Sequence, residues 1–303
     1  MNSDRPFLGI LLMLGFCVLA PLGDAIAKLL GGHVSLGLLI FVRFAVQAVI
    51  LVPIVIWSGK GLRLPSGIFK LTLLRTVIHI TGISLMFSAL RYLPLADALA
   101  IAFVMPFIML LLGHYILGEE VGRQRMAACA VGFIGTMLVI QPNFAEVGLP
   151  ALLPLGVAVV FALFMLVTRK IAKQIDPITL QAISGLQASA VLLPALLMFH
   201  DYAGFEVVMP DAKTLWLLAL LGILGTVAHL AMTGSLRFAP TSTLAPMQYL
   251  EIPFGTIIGW LVFRDLPNGL AAVGICITVG AGLYIIVRER RLSRVPAPAP
   301  VEL

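Results

Sequence analysis

Ten apolar stretches, most close to membrane-spanning length, occupy almost the whole chain. They run Phe7–Leu29, Leu36–Trp57, Ile68–Leu90, Leu95–Leu117, Met126–Ile140, Leu152–Ile171, Ile178–Phe199, Leu215–Leu236, Thr241–Phe263 and Gly269–Val287. A bilayer core asks for about 20 apolar residues per helix, and a spanning helix satisfies its own backbone polar groups. Chain breakers sit between the stretches, at Ser58-Gly59-Lys60-Gly61, Gln141-Pro142-Asn143, Asp176-Pro177 and Met209-Pro210-Asp211. With 60% hydrophobic and 11% charged residues and a mean hydropathy of +1.08, the chain lacks the charge to cover a soluble surface. The pattern predicts an all-α integral membrane protein with ten transmembrane helices and no extramembrane domain.

The net charge of +6 belongs to topology rather than to nucleic-acid binding. With the N-terminus inside, the inner segments hold fourteen Lys and Arg and the outer segments four, Lys28, Arg91, Lys213 and Arg264. That bias places both termini in the cytoplasm, across a bacterial inner membrane. Trp57, Trp216 and Trp260 fall near helix ends, as interfacial anchors do. The first apolar run resembles a signal peptide but lacks a small-residue cleavage site, and is read as an uncleaved helix. Cys17, Cys129 and Cys276 form no CxxC pair and are expected to be buried, inert thiols, with neither disulfide nor zinc site.

The chain repeats itself. Ala89-Leu90-Arg91-Tyr92-Leu93-Pro94 returns as Ser235-Leu236-Arg237-Phe238-Ala239-Pro240, a shift of 146 residues. At the same shift Met86 meets Met232, Gly113 meets Gly259 and Glu119 meets Asp265; Ile26-Ala27-Lys28 returns as Ile171-Ala172-Lys173. The expected units are residues 1–145 and 146–290, followed by a disordered cytoplasmic tail, 291–303, rich in Pro and Ala. Five spans per unit is an odd number, so the second unit enters the membrane in the opposite sense. Inverted repeats of this kind build many secondary transporters.

The five-plus-five arrangement, the Leu-Arg-Tyr-Leu-Pro and Leu-Arg-Phe-Ala-Pro turns, and the acidic closures Leu117-Gly118-Glu119-Glu120 and Phe263-Arg264-Asp265 resemble the drug/metabolite transporter superfamily, EamA type. The resemblance spans Phe7 to about Arg288. It implies movement of amino acids, nucleobase-related compounds, vitamins or other small metabolites across the membrane, with export favoured, the YddG-like amino-acid exporters being one branch. It also implies a cavity between the first four helices of each half, with the fifth and tenth at the edge or in a homodimer contact.

Polar residues inside a bilayer are costly and mark cavities or buried pairs. In the third span Thr72, Arg75, Thr76, His79, Gly82 and Met86 recur at helical spacing and form one stripe. His79 either lines a substrate cavity or bridges two helices; Arg75 either guards the inner end or snorkels. In the second span Arg43 and Gln47 share a face, with Arg43 set to meet a substrate carboxylate or to pair with Asp24 or Asp97. The ninth span carries Pro246, Gln248, Tyr249, Glu251 and Pro253, and the fourth carries Pro106. These prolines free backbone carbonyls and are read as helix breaks with a gating role. Glu251, near the midplane, is expected to take a proton, a substrate ammonium or an arginine. Gln187 with Ser184, His229, and Phe161 with Phe164 form a second rank of candidates.

These expectations describe a secondary transporter for a small polar metabolite, with the lipid bilayer as its setting. Two intramembrane arginines and a midplane Glu suit a zwitterion, so an amino acid leads, with an anionic or nucleotide-like metabolite open. An intramembrane lipid-modifying enzyme is the alternative from another class. It lacks support from any HExxH, GxSxG or P-loop pattern, and no cofactor or metal is implied.

Overall fold

In a computed structural model that describes residues 5–118, 122–140, 148–207, 210–264 and 269–292, the chain forms twelve α-helices. They are α1 (Pro6–Leu30), α2 (Leu36–Trp57), α3 (Ser66–Ala89), α4 (Leu95–Ala102), α5 (Met105–Leu117), α6 (Arg123–Ile140), α7 (Leu153–Ala172), α8 (Pro177–Met198), α9 (Ala212–Phe238), α10 (Thr241–Gln248), α11 (Glu251–Phe263) and α12 (Gly269–Leu292). Local chemistry sets the ends. Ser35, Asp176 and Asp211 cap α2, α8 and α9 by accepting from the backbone amides of Leu38, Thr179 and Thr214. Basic residues close other ends: Lys28 donates to the Leu93 carbonyl at 3.0 Å, and Arg169 to the Leu236 carbonyl at 2.6 Å.

Among the described residues, seven helices are long and apolar enough to cross a bilayer: α1, α2, α3, the run through α4 and α5, α7, α8 and α9. The remaining expected spans contain shorter apolar helices, Met126–Gly135, Glu251–Phe263 and Ala272–Ala281. The helices turn apolar stripes outward; Leu220, Ile223 and Val227 of α9 are all exposed. The polar stripe of α3, from Thr72 to Met86, is buried throughout. This is the distribution a lipid solvent selects, since water no longer drives apolar side chains to the centre.

The fourth and ninth apolar stretches are each two helices. Phe103 and Val104 separate α4 from α5, and Tyr249 and Leu250 separate α10 from α11. Pro106 and Pro253 lie in the first turns of α5 and α11, where a proline N–H is not needed but the preceding helix cannot be continued. Pro246 lies within α10. The rings of Phe103 and Tyr249 face each other at 5.8 Å. Each break, shifted by 146 residues, falls on the other. So do the left-handed residues that end α5 and α11, Gly118 (φ 66°) and Arg264 (φ 62°).

Each helix packs against one from the other half: α1 against α9, α2 against α8, α3 against α7 and α6 against α12, while α4 and α5 meet α11 and α10. Close approach is bought by small residues: a Cβ on Gly222 would lie 2.5 Å from Val46, and one on Gly185 2.9 Å from the Ala48 amide. One expectation is corrected. Cys17 and Cys129 are buried, but Cys276 is exposed, because its face of α12 turns away from the bundle. Glu119, Glu120 and Asp265 lie outside the described residues, as does the tail from residue 293.

Candidate functional site

The bundle holds an open-mouthed cavity whose lining bounds about 710 Å³ of space, open solvent included. Its walls come from the middle of α1, Arg43 of α2, the end of α3, α4 with the break after it, Met105 at the start of α5, the first half of α7, the middle of α9, and the first residue of α11. No residue of α6 or α12 lines it among the described residues. Phe16, Phe87, Phe103 and Phe161 supply flat aromatic faces, and four polar side chains interrupt them: Asp24, Arg43, His229 and Glu251. An apolar cavity with a few placed polar groups is the usual form of a small-molecule site.

Glu251 is there because the break in the ninth stretch makes it the first residue of α11. It is 7% exposed, and its side chain lines the cavity. Asp24 enters the same space from α1, just beyond Gly23. Arg43 turns to His229 rather than to a carboxylate. Its Nη2 donates to His229 Nδ1 at 2.9 Å, and the Gly225 carbonyl lies 3.5 Å from the same nitrogen. The guanidinium also stands over the Phe44 ring at 4.9 Å. Met86 completes the group of expected site residues that line the cavity.

Arg75, His79, Gln187, Gln248 and Tyr249 lie elsewhere. Arg75 stands at the opposite end of α3 from Met86, fully buried. Its Nε donates to Thr168 Oγ1 at 2.8 Å and its Nη1 to Ser184 Oγ at 2.8 Å. Its Nη2 donates to Thr233 Oγ1 at 3.3 Å and Gln181 Oε1 at 3.5 Å, and the guanidinium covers the Phe164 ring at 4.5 Å. Gln181 in turn donates to Thr233 Oγ1, and Gln47 donates to the Gln181 carbonyl at 2.7 Å. Helices α2, α3, α7, α8 and α9 are thus tied together by hydroxyl and amide groups, closing the bundle on this side. Gln187 belongs to the same layer and accepts from Thr76 Oγ1 at 2.9 Å.

His79 lies between plug and cavity. It stacks on Phe164 at 4.3 Å, meets the His229 ring at 4.4 Å and touches Phe44 edge-on at 5.0 Å. Gln248 donates to Met165 Sδ at 2.9 Å. Tyr249 packs into the space that Gly132 leaves on α6, where a Cβ would lie 2.7 Å from the ring, and its hydroxyl donates to the Cys129 carbonyl at 3.1 Å. It holds the break of the ninth stretch against α6, while its mate at the same shift, Phe103, faces the cavity.

Sequence reasoning ranked His229 and Phe161 second and treated Asp24 only as a partner for Arg43. The available signal was depth: His229 sits well inside α9, where an imidazole needs a polar neighbour. Gly225 carried no signal at all. Among the described residues, no three His, Cys, Asp or Glu side chains gather as metal ligands.

Known proteins share this architecture. A solved crystal structure superposes with a TM-score of 0.71 at 20% identity, covering 96% of this chain and all of its own, which speaks to fold alone. The riboflavin transporter of Rhizobium johnstonii is 32% identical over 74% of this chain and 72% of its own length. The S-adenosylmethionine uptake transporter of Rickettsia prowazekii is 25% identical over 90% of both. The model of the EamA-like transporter family matches twice, at residues 7–141 and 148–288. A helical membrane bundle around a polar-studded cavity, matched by that model in each half, belongs to the EamA-like transporter family of the drug/metabolite transporter superfamily.

Proposed function

We propose that this protein is a secondary transporter for a small zwitterionic metabolite, working by alternating access between two inverted five-helix repeats that make ten spans in all. The coincident breaks, the matching left-handed caps, the exchange-symmetric helix pairing and the twofold family match support the repeat. Five spans per unit supply the inversion, and the excess of Lys and Arg on one side supports cytoplasmic termini in an inner membrane. In the conformation described, the cavity lies toward the end where α1 finishes, and the Arg75 layer closes the other. Exchange of the two halves' conformations would open that layer and close the mouth.

The observation that carries the substrate reading is the presence, in one aromatic-walled cavity, of a guanidinium and two carboxylates. A zwitterion presents a carboxylate to Arg43 and an ammonium to Asp24 or Glu251, and its apolar or ring portion lies against the phenylalanines. S-adenosylmethionine, named for one relative, has this chemistry in extended form. An amino acid is the simplest member of the class, and export is the direction favoured by the resemblance to exporters. Purified protein in proteoliposomes should exchange labelled L-phenylalanine or S-adenosylmethionine in counterflow. Glu251→Gln should lose about tenfold or more of that exchange, with its thermal midpoint in detergent unchanged, because the Glu251 side chain lines the cavity. Exchange of riboflavin, which has no ammonium group, at equal rates by both proteins would overturn the zwitterion and favour a nucleotide-like substrate.

A further inference from the structure

The polar floor of the cavity is unfinished. Arg43 approaches α9 at the one point where a glycine admits it: a Cβ on Gly225 would lie 3.0 Å from Arg43 Cζ and 3.0 Å from Nε. Arginine has no lone pair to offer and keeps its charge. His229 Nδ1 lies 2.9 Å from Arg43 Nη2 and 3.1 Å from the Gly225 carbonyl; a proton on Nδ1 would serve the carbonyl but face a guanidinium N–H at the shorter distance, so the arginine donates and Nδ1 accepts. That places the imidazole proton on Nε2. Nε2 of His229 has no partner, and neither has Nη1 of Arg43. Both residues are almost wholly buried, at 4% and 2% exposure. Both nitrogens of His79, whose ring lies 4.4 Å from that of His229, are also unpartnered.

An unpaired buried donor costs about 1–3 kcal/mol, and native proteins hold few of them. Among the described residues, four of the seven such buried, unpartnered nitrogens and oxygens belong to the adjoining Arg43, His79 and His229, the others to Gln47, Gln187 and Gln248; Arg43 and His229 line the cavity that also holds Asp24 and Glu251. The Arg75 layer, beyond Phe164 and His79, shows that this bundle can saturate a guanidinium when nothing else is to bind it.

We propose that Arg43 and His229 form a two-donor seat for the substrate's carboxylate, and that Gly225 is the position that keeps the seat open. Nη1–H and Nε2–H take the two carboxylate oxygens, and the substrate's ammonium then points toward Asp24 and Glu251. Binding from the cavity side requires only that the floor loosen enough to expose the two donors. This assignment rests on the zwitterion reading above and gives it an orientation.

The test uses labelled L-phenylalanine and S-adenosylmethionine in proteoliposome counterflow, with L-phenylalanine, its methyl ester and N-acetyl-L-phenylalanine as competitors. The wild-type protein should prefer the free acid over the methyl ester by about tenfold or more, as sites built to hydrogen-bond a group reject analogues lacking it. Gly225→Ala, which pushes the guanidinium aside, should bring the acid and the ester to near parity. Its discrimination against the N-acetyl compound, read at the carboxylate end of the cavity, should persist. His229→Phe keeps the ring and removes the donor, so it should lower the acid preference even if Gly225→Ala does not fold. Equal competition by acid and ester in the wild-type protein would overturn the seat while leaving zwitterion transport intact. An acid preference unchanged in His229→Phe would overturn it as well. Exchange of neither labelled zwitterion would overturn the substrate reading, and the seat with it.

Discussion

Arg75 and Arg43 are both withdrawn from the surface of one helical bundle, and the protein treats them in opposite ways. Arg75 is surrounded by side-chain oxygens from Thr168, Ser184, Gln181 and Thr233 and lies on the Phe164 ring. No described carboxylate takes part; neutral dipoles from three partner helices do the work. Arg43 has one imidazole, one distant carbonyl and a nitrogen without a partner. A guanidinium completed by the protein is a cross-brace, and one left incomplete beside a cavity is available to a ligand. Charge and depth, the two properties a sequence displays, are nearly the same for both.

The contrast can be broken most directly by removing each side chain. Arg75→Ala leaves a void at the meeting of four helices and strips donors from a shared network. It should lower the stability of the detergent-solubilised protein by about 2–5 kcal/mol, the range for large-to-small changes in a packed interior. Arg43→Met removes a cation that the protein never fully satisfied, so the thermal midpoint should hardly move while counterflow collapses. The reverse pattern, a stable Arg75→Ala and an unfolded Arg43→Met, would show that the roles have been assigned the wrong way round.

A smaller effect tests the two helix breaks. Tyr249 is locked to α6 through the Cys129 carbonyl, whereas Phe103 at the matching position has no hydroxyl and faces the cavity. Tyr249→Phe should cost about 0.5–1.5 kcal/mol, the net value of one such bond, measured as a lower midpoint for thermal unfolding. An unchanged midpoint would mean that ring packing on Gly132 alone holds this break.

The smallest effect lies at the bundle's surface and depends on pH. Burial pushes the Asp176 carboxyl up, but the hydroxyl and amide of Thr179 and the Lys60 ammonium at 3.4 Å outweigh it and hold the carboxyl below its usual value. A carboxyl that is easier to ionise folded than unfolded contributes stability above the ordinary carboxylate range, and the contribution fades as pH falls through its folded value. Wild-type stability should therefore decline more steeply than that of Asp176→Asn below about pH 4. At neutral pH the variant should be weaker by no more than about 1 kcal/mol, the worth of an exposed ion pair, because asparagine caps a helix as well as aspartate does. Parallel pH curves would show that the charge of Asp176 contributes nothing and that only its capping oxygen matters.

Much of the architecture could be read in advance. Hydropathy marks the spans because lipid acts on each segment separately, and the stripe from Thr72 to Met86 is buried along one face as its spacing implied. Pro106 and Pro253 announced interruptions that fall three and four residues earlier, at Phe103 and Tyr249. The site was legible only in part. Arg43, Met86 and Glu251 reach the cavity; His79, Arg75, Gln187, Gln248 and Tyr249 stand behind it or against α6. Depth in the bilayer is a property of position along one helix, but facing the cavity depends on how that helix is rotated against its neighbours.

By itself, then, the sequence determined that the chain is a helical membrane protein, that its fourth and ninth apolar stretches are interrupted near their prolines, and that polar groups lie within apolar helices. These follow from local forces: the transfer of apolar segments into lipid, the missing N–H of proline, and the periodicity of the helix. Only the tertiary structure decided which arginine would be saturated and which left open, that Asp24 and Glu251 would share a cavity, and that Gly225 would admit Arg43 to His229. Arg43 and His229 are 186 positions apart in the chain, and nothing short of the packed interface between α2 and α9 brings a guanidinium flat against a glycine.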